Sequence, residues 1–392
     1  MPTQDAEIWR YVDLDFSMDD YRLPSGESVD LGDDPLADVL SKPVTALLVN
    51  GEYAGDDYAV EGLRVMSLRR ALMERQEAAE SVVRLAGPRA DEDLFKAASV
   101  AFGGGGVFVR ADRNVVAPSV VSIDVTSGVD GVASFPTVAL SADEHARLSV
   151  VVHLRSNPDD DVLVVPNILV VVGDGASIAL TLVQNLGYGA RSVGSLRSVV
   201  GRDASFRFGE IGIGGRFARL HLDVGLEGRG SSTNVVGAYF GDQRQILDYR
   251  YFMRHVGTNT RSDMFLKGAV EDEARSVFTG MIRIEKSGQK TEAFQTNRNL
   301  ILSEGASAQS VPNLEILAND VRCGHGSTVG PLDADQRYYL MSRGLDPESA
   351  DRLQVRGFFE EALGMLPHPE LAAPTREWIN RKYEIAQAEG RV

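Results

Sequence analysis

The sequence predicts a mainly β protein, built as a stacked β-solenoid with a small α/β region before it and a helical domain after it. Three observations carry that expectation. From about Ala101 helical periodicity disappears, and β-branched residues and glycines dominate. A unit of tight turn followed by alternating strand then recurs. After Gly330 the pattern turns helical. The expected divisions are an α/β cap region at 1–100, a β core at 101–330 and a helical domain at 331–392.

In the first region, Val60 to Arg84 reads as a helix, with Leu63, Met66, Leu68, Leu72 and Val83 set among charged residues. Loops rich in Pro, Gly and Asp, such as Leu23 to Pro35, surround it. The run Gly103 to Gly106 leads into Val107-Phe108-Val109-Arg110, which is strand-like. A phosphate cradle needs a strand before it, a helix after it and usually a Lys-Ser/Thr pair. The run therefore reads as a strand-entry turn, and no nucleotide is expected on this chain.

In the core, Phe217 to Leu226 alternates Ala218, Leu220, Leu222, Val224 and Leu226 against a more polar set. Ser205 to Ile213 alternates too, with a slip at Gly209-Glu210. Both read as half-buried strands. The repeated turn runs Gly173-Asp174-Gly175-Ala176-Ser177, then Gly201-Arg202-Asp203-Ala204-Ser205. Its small residue recurs at 231, 274 and 306, at intervals of 27 to 43 residues. A strand repeat of that size suggests coils stacked on one another. A large antiparallel sandwich also alternates strands and turns, but the recurring turn unit favours the solenoid.

The C-terminal stretch gives three helices. Asp333 to Arg343 carries Tyr338, Tyr339 and Leu340, with Gly344 where a helix ends. Asp346 suits the N-cap of Pro347 to Leu363, whose apolar stripe is Leu353, Val355, Phe358, Phe359, Ala362 and Leu363. Pro374 to Ala388 is the third.

Bulk properties remove several functions. A formal charge of −16 repels nucleic acid and favours cationic partners. One cysteine excludes an internal disulfide and a multi-cysteine zinc site, and a lone thiol fits a reducing compartment. Met1 to Asp20 is acidic and lacks the apolar stretch of a signal peptide. Val162 to Val172 is too short to span a bilayer. A cytoplasmic protein, without membrane contact, is expected.

Chemistry concentrates in Asn319 to Gly330. Cys323 and His325 are two residues apart, so on a strand both point to one side. Gly324 and Gly326 leave the backbone approachable. Thiolate with imidazole suits iron, zinc or copper(I), and sulfur ligation is the mode of iron–sulfur clusters. Two ligands do not complete a site. A lone Cys is more often a packed apolar group, and a lone His more often a satisfied polar one. Asp159 to Asp161 and Glu271 to Glu273 lack the spacing of a calcium loop and read as solvated turns. His255 reads equally as a turn-closing hydrogen bonder. His153 and His221 fall on strands and have no partner that can be named. Carboxylate pairs on a β-solenoid also suit a carbohydrate-active enzyme, against which stands an aromatic content of only 7%. A purely structural homodimer with an inert Cys323 is the third class.

A resemblance sharpens this. Asp248 with His255-Val256-Gly257-Thr258-Asn259-Thr260-Arg261-Ser262 opens a series of blocks. Lys267-Gly268, Val277-Phe278-Thr279-Gly280 and Gln289-Lys290-Thr291-Glu292-Ala293 follow. Then come Gln295-Thr296-Asn297-Arg298-Asn299-Leu300-Ile301-Leu302-Ser303, Pro312-Asn313-Leu314-Glu315-Ile316, Asp320 to Gly326, and Tyr339 to Gly344. In this order they resemble the SufB/SufD family of iron–sulfur cluster assembly proteins, from Asp248 to Leu363. SufB usually has Cys-Glu-His-Glu-Ala at the cysteine. Here Gly324 and Gly326 hold the two glutamate positions, and there is no second cysteine, so the pattern is similar to SufD.

The resemblance implies a right-handed parallel β-helix that serves as a non-catalytic scaffold subunit. It implies a SufB partner, a SufC ATPase partner, and a transient iron–sulfur cluster or iron at the SufB interface. Persulfide receipt and the main thiolate ligation would belong to SufB. His325 is the implied ligand, with Cys323 beside it. Tyr338, Tyr339, Leu340, Arg343, Phe358 and Phe359 are the implied SufC-docking residues. His255, Thr260, Ser262, Asn299, Gly326 and Gly330 are the implied structural motif. Whether a homodimer forms in isolation is left open.

Overall fold

Apolar-alternating stretches of about ten residues, separated by tight turns, bury their apolar face by stacking on the next copy of themselves. The computed structural model describes residues 7–36, 38–89 and 93–388 and has this arrangement. Two sheets, of ten and twelve strands, face each other. The chain passes from one to the other and back, giving a parallel β-helix of about eight coils.

Register is held from coil to coil. One row across the ten-stranded sheet reads Val121, Val150, Leu180, Phe208, Val235, Met264, Gln295 and His325. Val121 to Met264 are buried in the lumen. Each such apolar side chain contributes about 1.5–3 kcal/mol when buried. The last two places in the row are polar, so the lumen changes character toward that end.

The turn unit is regular once the two edges of the solenoid are separated. Ala176, Ala204, Ser231 and Thr260, each just before a strand of the ten-stranded sheet, and Thr291, the first residue of the next, stand 27 to 31 residues apart. Before them sit Gly175, Asp203, Gly230, Asn259 and Lys290, all at positive φ. Ala274 and Ala306 belong to the opposite edge, before strands of the other sheet. The loose interval in the sequence came from mixing two edges.

Strands from the first hundred residues join both sheets. Val44–Val49 runs parallel to Val121–Ser127, and Leu63–Ser67 runs antiparallel to Val107–Ala111. The helix expected over Val60 to Arg84 is therefore broken up. Leu63 and Val65 alternate inward from a strand at 0% exposure, and helices occupy only Leu68–Met73 and Glu77–Val83. A ladder of hydrogen bonds to the neighbouring strand outweighs a helical period that starts only at Leu68. Antiparallel strands Glu52–Tyr53 and Tyr58–Val60 close this end of the stack.

The C-terminal helices follow the sequence closely. Asp333 Oδ1 accepts from the amides of Asp335 and Gln336 and caps Ala334–Ser342. Gly344 turns the chain at φ +96°, where a side chain would be strained. Asp346 caps Pro347–Leu363, and Ala372–Ala388 is the last helix. Val355, Phe359, Leu363, Ile379 and Tyr383 pack on the outer face of the ten-stranded sheet, against Ile211, Ala238, Phe240 and Phe265. Among the described residues no helix is long and apolar enough to cross a membrane.

Candidate functional site at the open rim

Among the described residues, none pairs with the end opposite the antiparallel strands. It is formed by Ser307–Ile316, the last strand of one sheet, and Val321–Gly330, the last of the other. Among the described residues each has a strand neighbour on one side only, so each presents a sheet edge with free backbone groups. Ile316, Leu317 and Val329 stand there at 40–41% exposure.

Cys323 and His325 both lie on the second of these strands. Their register partners, Ala293 and Gln295, point into the lumen at 0% and 1% exposure. Cys323 and His325 therefore cap the lumen and share one side, as the spacing required. Cys323 is partly buried against the core cluster, and that burial raises its thiol pKa. His325 is exposed. A carbon at the Gly324 β-position would stand 3.6 Å from the Phe294 ring, and one at Gly326 would stand 3.9 Å from Thr296. Neither glycine is forced by crowding. Gly330 ends the rim strand in open space.

His255 is not part of this surface. Its Nδ1 lies 2.8 Å from Thr260 Oγ1 and its Nε2 2.9 Å from Ser262 Oγ, at 0% exposure. Thr260 Oγ1 in turn lies 2.8 Å from Thr291 Oγ1 on the next coil. Burial pushes the His255 pKa down to about 4. With both ring nitrogens engaged, His255 ties one corner of the solenoid and has no lone pair free for a metal. Asn299 is also internal. Its Oδ1 accepts from Tyr239 at 2.6 Å and its Nδ2 donates to Asn297 at 2.7 Å.

The residues expected to dock a partner divide. Tyr338 and Tyr339 are 76% and 56% exposed, and the Arg343 guanidinium lies 5.2 Å from the Tyr339 ring centre. Leu340 and Phe358 line a cleft of about 440 Å³ with Leu300, Leu332 and Leu353. Phe359 is a correction. It is 1% exposed and packs on Phe240, because the helix turns that side toward the sheet. Phe359 leaves the docking set.

Sequence reasoning passed over one cluster: Asp34, Asp124 and His153 bring ligand atoms within 4.8 Å of one another. They do not suit a cation. Asp124 takes the Arg155 guanidinium in a two-pronged pair, and Asp34 Oδ1 lies 2.8 Å from His153 Nδ1. Burial works to raise the Asp34 carboxyl, yet His153 holds it below its ordinary value. The group fastens the Leu31–Asp34 segment to the sheet. Its acidic members are scattered in sequence, and no local pattern announces them.

Comparison with known proteins bears on the family of the chain. A family model described as "SUF system FeS cluster assembly, SufBD core domain" matches residues 125–358. The chain belongs to the SufBD family. An iron–sulfur cluster assembly SufBD family protein of Mycobacterium tuberculosis is 31% identical over 290 residues, 72% of each chain. The cluster assembly protein SufD of Bacillus subtilis is 30% identical over 314 residues, covering 78% of this chain and 71% of the relative. SufD of Escherichia coli is 32% identical over 149 residues, 38% of this chain and 35% of its own.

Proposed function

We propose that this protein is a SufD-like scaffold subunit that offers its open rim to a SufB-like chain. Iron or a nascent iron–sulfur cluster would be the cargo at that junction. The observation that carries the reading is the placement of Cys323 and His325 on an edge strand with an unpaired side. A partner strand laid along Val321–Gly330 would satisfy the free backbone groups. It would also bring its own ligands beside a thiol and an imidazole, which complete a soft site better than either alone. The chain itself catalyses nothing in this account. A SufC-like ATPase would dock on the exposed face of Ala334–Ser342 and the neighbouring cleft, through Tyr338, Tyr339, Leu340, Arg343 and Phe358.

The test is co-expression with a SufB-like and a SufC-like protein, with purification through a tag on this chain. Anaerobic reconstitution with iron and sulfide is then followed by visible absorbance. A stable three-component complex that loses cluster absorbance in His325→Ala supports the reading. Failure to co-purify removes the partners, and an unchanged cluster moves the ligands to the other chain.

A further inference from the structure

The inner wall of the lumen is not uniformly apolar. Glu210 lies in the row that begins Ile123, Val152 and Leu182, where every earlier place is aliphatic. It is 2% exposed, and its Oε2 has no partner among the described residues. A lone carboxyl in such a place needs a hydrogen-bond partner.

Unpartnered oxygens continue from Glu210 toward the rim. Two residues along the strand, the Tyr249 hydroxyl fills the space that a Gly212 side chain would take. Tyr251 is on the same strand as Tyr249, and both face the lumen at 1–2% exposure. Both hydroxyls lack a partner among the described residues. Tyr251 pairs in register with Gly280 on the next coil. The Gln295 Oε1, also unpartnered, crosses the lumen into the space of the Gly280 side chain. Gln295 in turn pairs in register with His325 at the rim. Small residues thus stand where polar groups from the facing sheet reach across, coil after coil.

We propose that these groups line a file of internal water that links the Glu210 carboxyl to the open rim and carries protons along it. Buried water takes two to four polar partners and collects where such groups are orphaned. In each transfer a water or hydroxyl oxygen accepts a proton and releases its own to the next, while the Gln295 amide oxygen only holds a water in place by accepting from it, so a proton released at Glu210 emerges at the rim and leaves a carboxylate behind. The groups facing Glu210 are Tyr249 and Tyr251, with Tyr239 and Asp248 beyond them. None is a cation, and burial raises the Glu210 pKa well above the ordinary carboxyl value. Glu210 is the proton-holding terminus. Resting on the scaffold reading, the file would let Glu210 hand a proton to a rim covered by its partner, leaving a carboxylate that takes a proton back from solvent when the rim is open.

The test uses the isolated full-length chain, without metal, so it stands apart from cluster assembly. Infrared difference spectra of wild type and Glu210→Gln isolate the carboxylic C=O band at neutral pH. The band is expected in wild type and absent in the variant, and it should shift promptly on transfer to D2O. Tyr251→Phe and Gln295→Met each remove one link, worth about one hydrogen bond, and should slow that shift about tenfold. Circular dichroism confirms folding of each variant. No protonated band, or exchange equally fast in both link variants, overturns the proposal. So does exchange only on the timescale of global unfolding.

Discussion

The Arg219 guanidinium carbon lies 3.8 Å from the centre of the Trp9 ring. Arg219 also pairs with Asp248 and donates to the Ile8 carbonyl, at 4% exposure. One buried cation thus joins the N-terminal segment to the twelve-stranded sheet. Arg219→Met leaves Asp248 buried and uncompensated, so it should destabilise by about 3–5 kcal/mol. Urea unfolding followed by tryptophan fluorescence measures this. Adding Asp248→Asn should recover part of the loss, and no recovery would place the stability in the ring contact.

Acid should loosen the protein through two histidines. Burial lowers both His255 and His368 to about 4. An unfolded histidine titrates near 6.5. The unfolded chain therefore takes up protons first as pH falls. The stability these groups contribute is present above about 6.5 and is lost as pH falls toward 4, by up to about 3 kcal/mol for each. Unfolding midpoints in denaturant across that range test it. His255→Gln should shrink the pH dependence while lowering stability at neutral pH.

The C-terminal helices are fixed from below by lysines. Lys267 Nζ donates to the Phe358 carbonyl at 2.6 Å and pairs with Glu361 at 2.8 Å. Lys382 Nζ donates to the Ile213 carbonyl at 2.6 Å and to Gln245 at 2.7 Å. Lys267→Met should cost about 1.5–3 kcal/mol, the worth of a hydrogen bond to a charged group. Amide exchange in Pro347–Leu363 should quicken while exchange in the coils stays slow. Equal quickening throughout would mean the helices and the solenoid unfold as one unit.

Exposure separates binding from folding in adjacent aromatics. Tyr339→Ala should leave stability within about 0.5 kcal/mol of wild type and reduce capture of a SufC-like ATPase. Phe359→Ala should cost about 3–5 kcal/mol as a core truncation. Thermal melts beside pull-downs give both readings. A large stability loss in Tyr339→Ala would remove that residue from the docking face.

Cys323→Ala and His325→Ala alter the rim, where little is packed. Both should fold with unfolding free energies within about 1 kcal/mol of wild type; His325→Ala should abolish cluster absorbance in the complex and Cys323→Ala should lower it. Loss of the complex itself in either variant would assign these side chains to strand pairing instead.

Much of this was legible in the residues. Alternation marked Phe217 to Leu226, and the caps at Asp333 and Asp346 set the helix starts. The two-residue spacing of Cys323 and His325 gave their shared side. Other features were hidden for physical reasons. Leu63 and Val65 share spacing with a helix beginning at Leu68, and only pairing across 48 residues with Ala111 settles them as strand. Phe358 and Phe359 are neighbours of like hydropathy, separated only by which one meets Phe240. The slip at Gly209-Glu210 was visible, but the facing tyrosines come from 39 and 41 residues later and no local pattern joins them.

An inner coil of the stack is gripped from both sides, whereas Val321–Gly330 rests on a single neighbouring strand. In a stack whose stability is the sum of nearest-neighbour contacts, the terminal strand is the first to fray. Cys323 and His325 therefore ride on the part of the solenoid that can open without disturbing the coils beneath it. The place best suited to gain a neighbour is also the place that yields most readily when it has none.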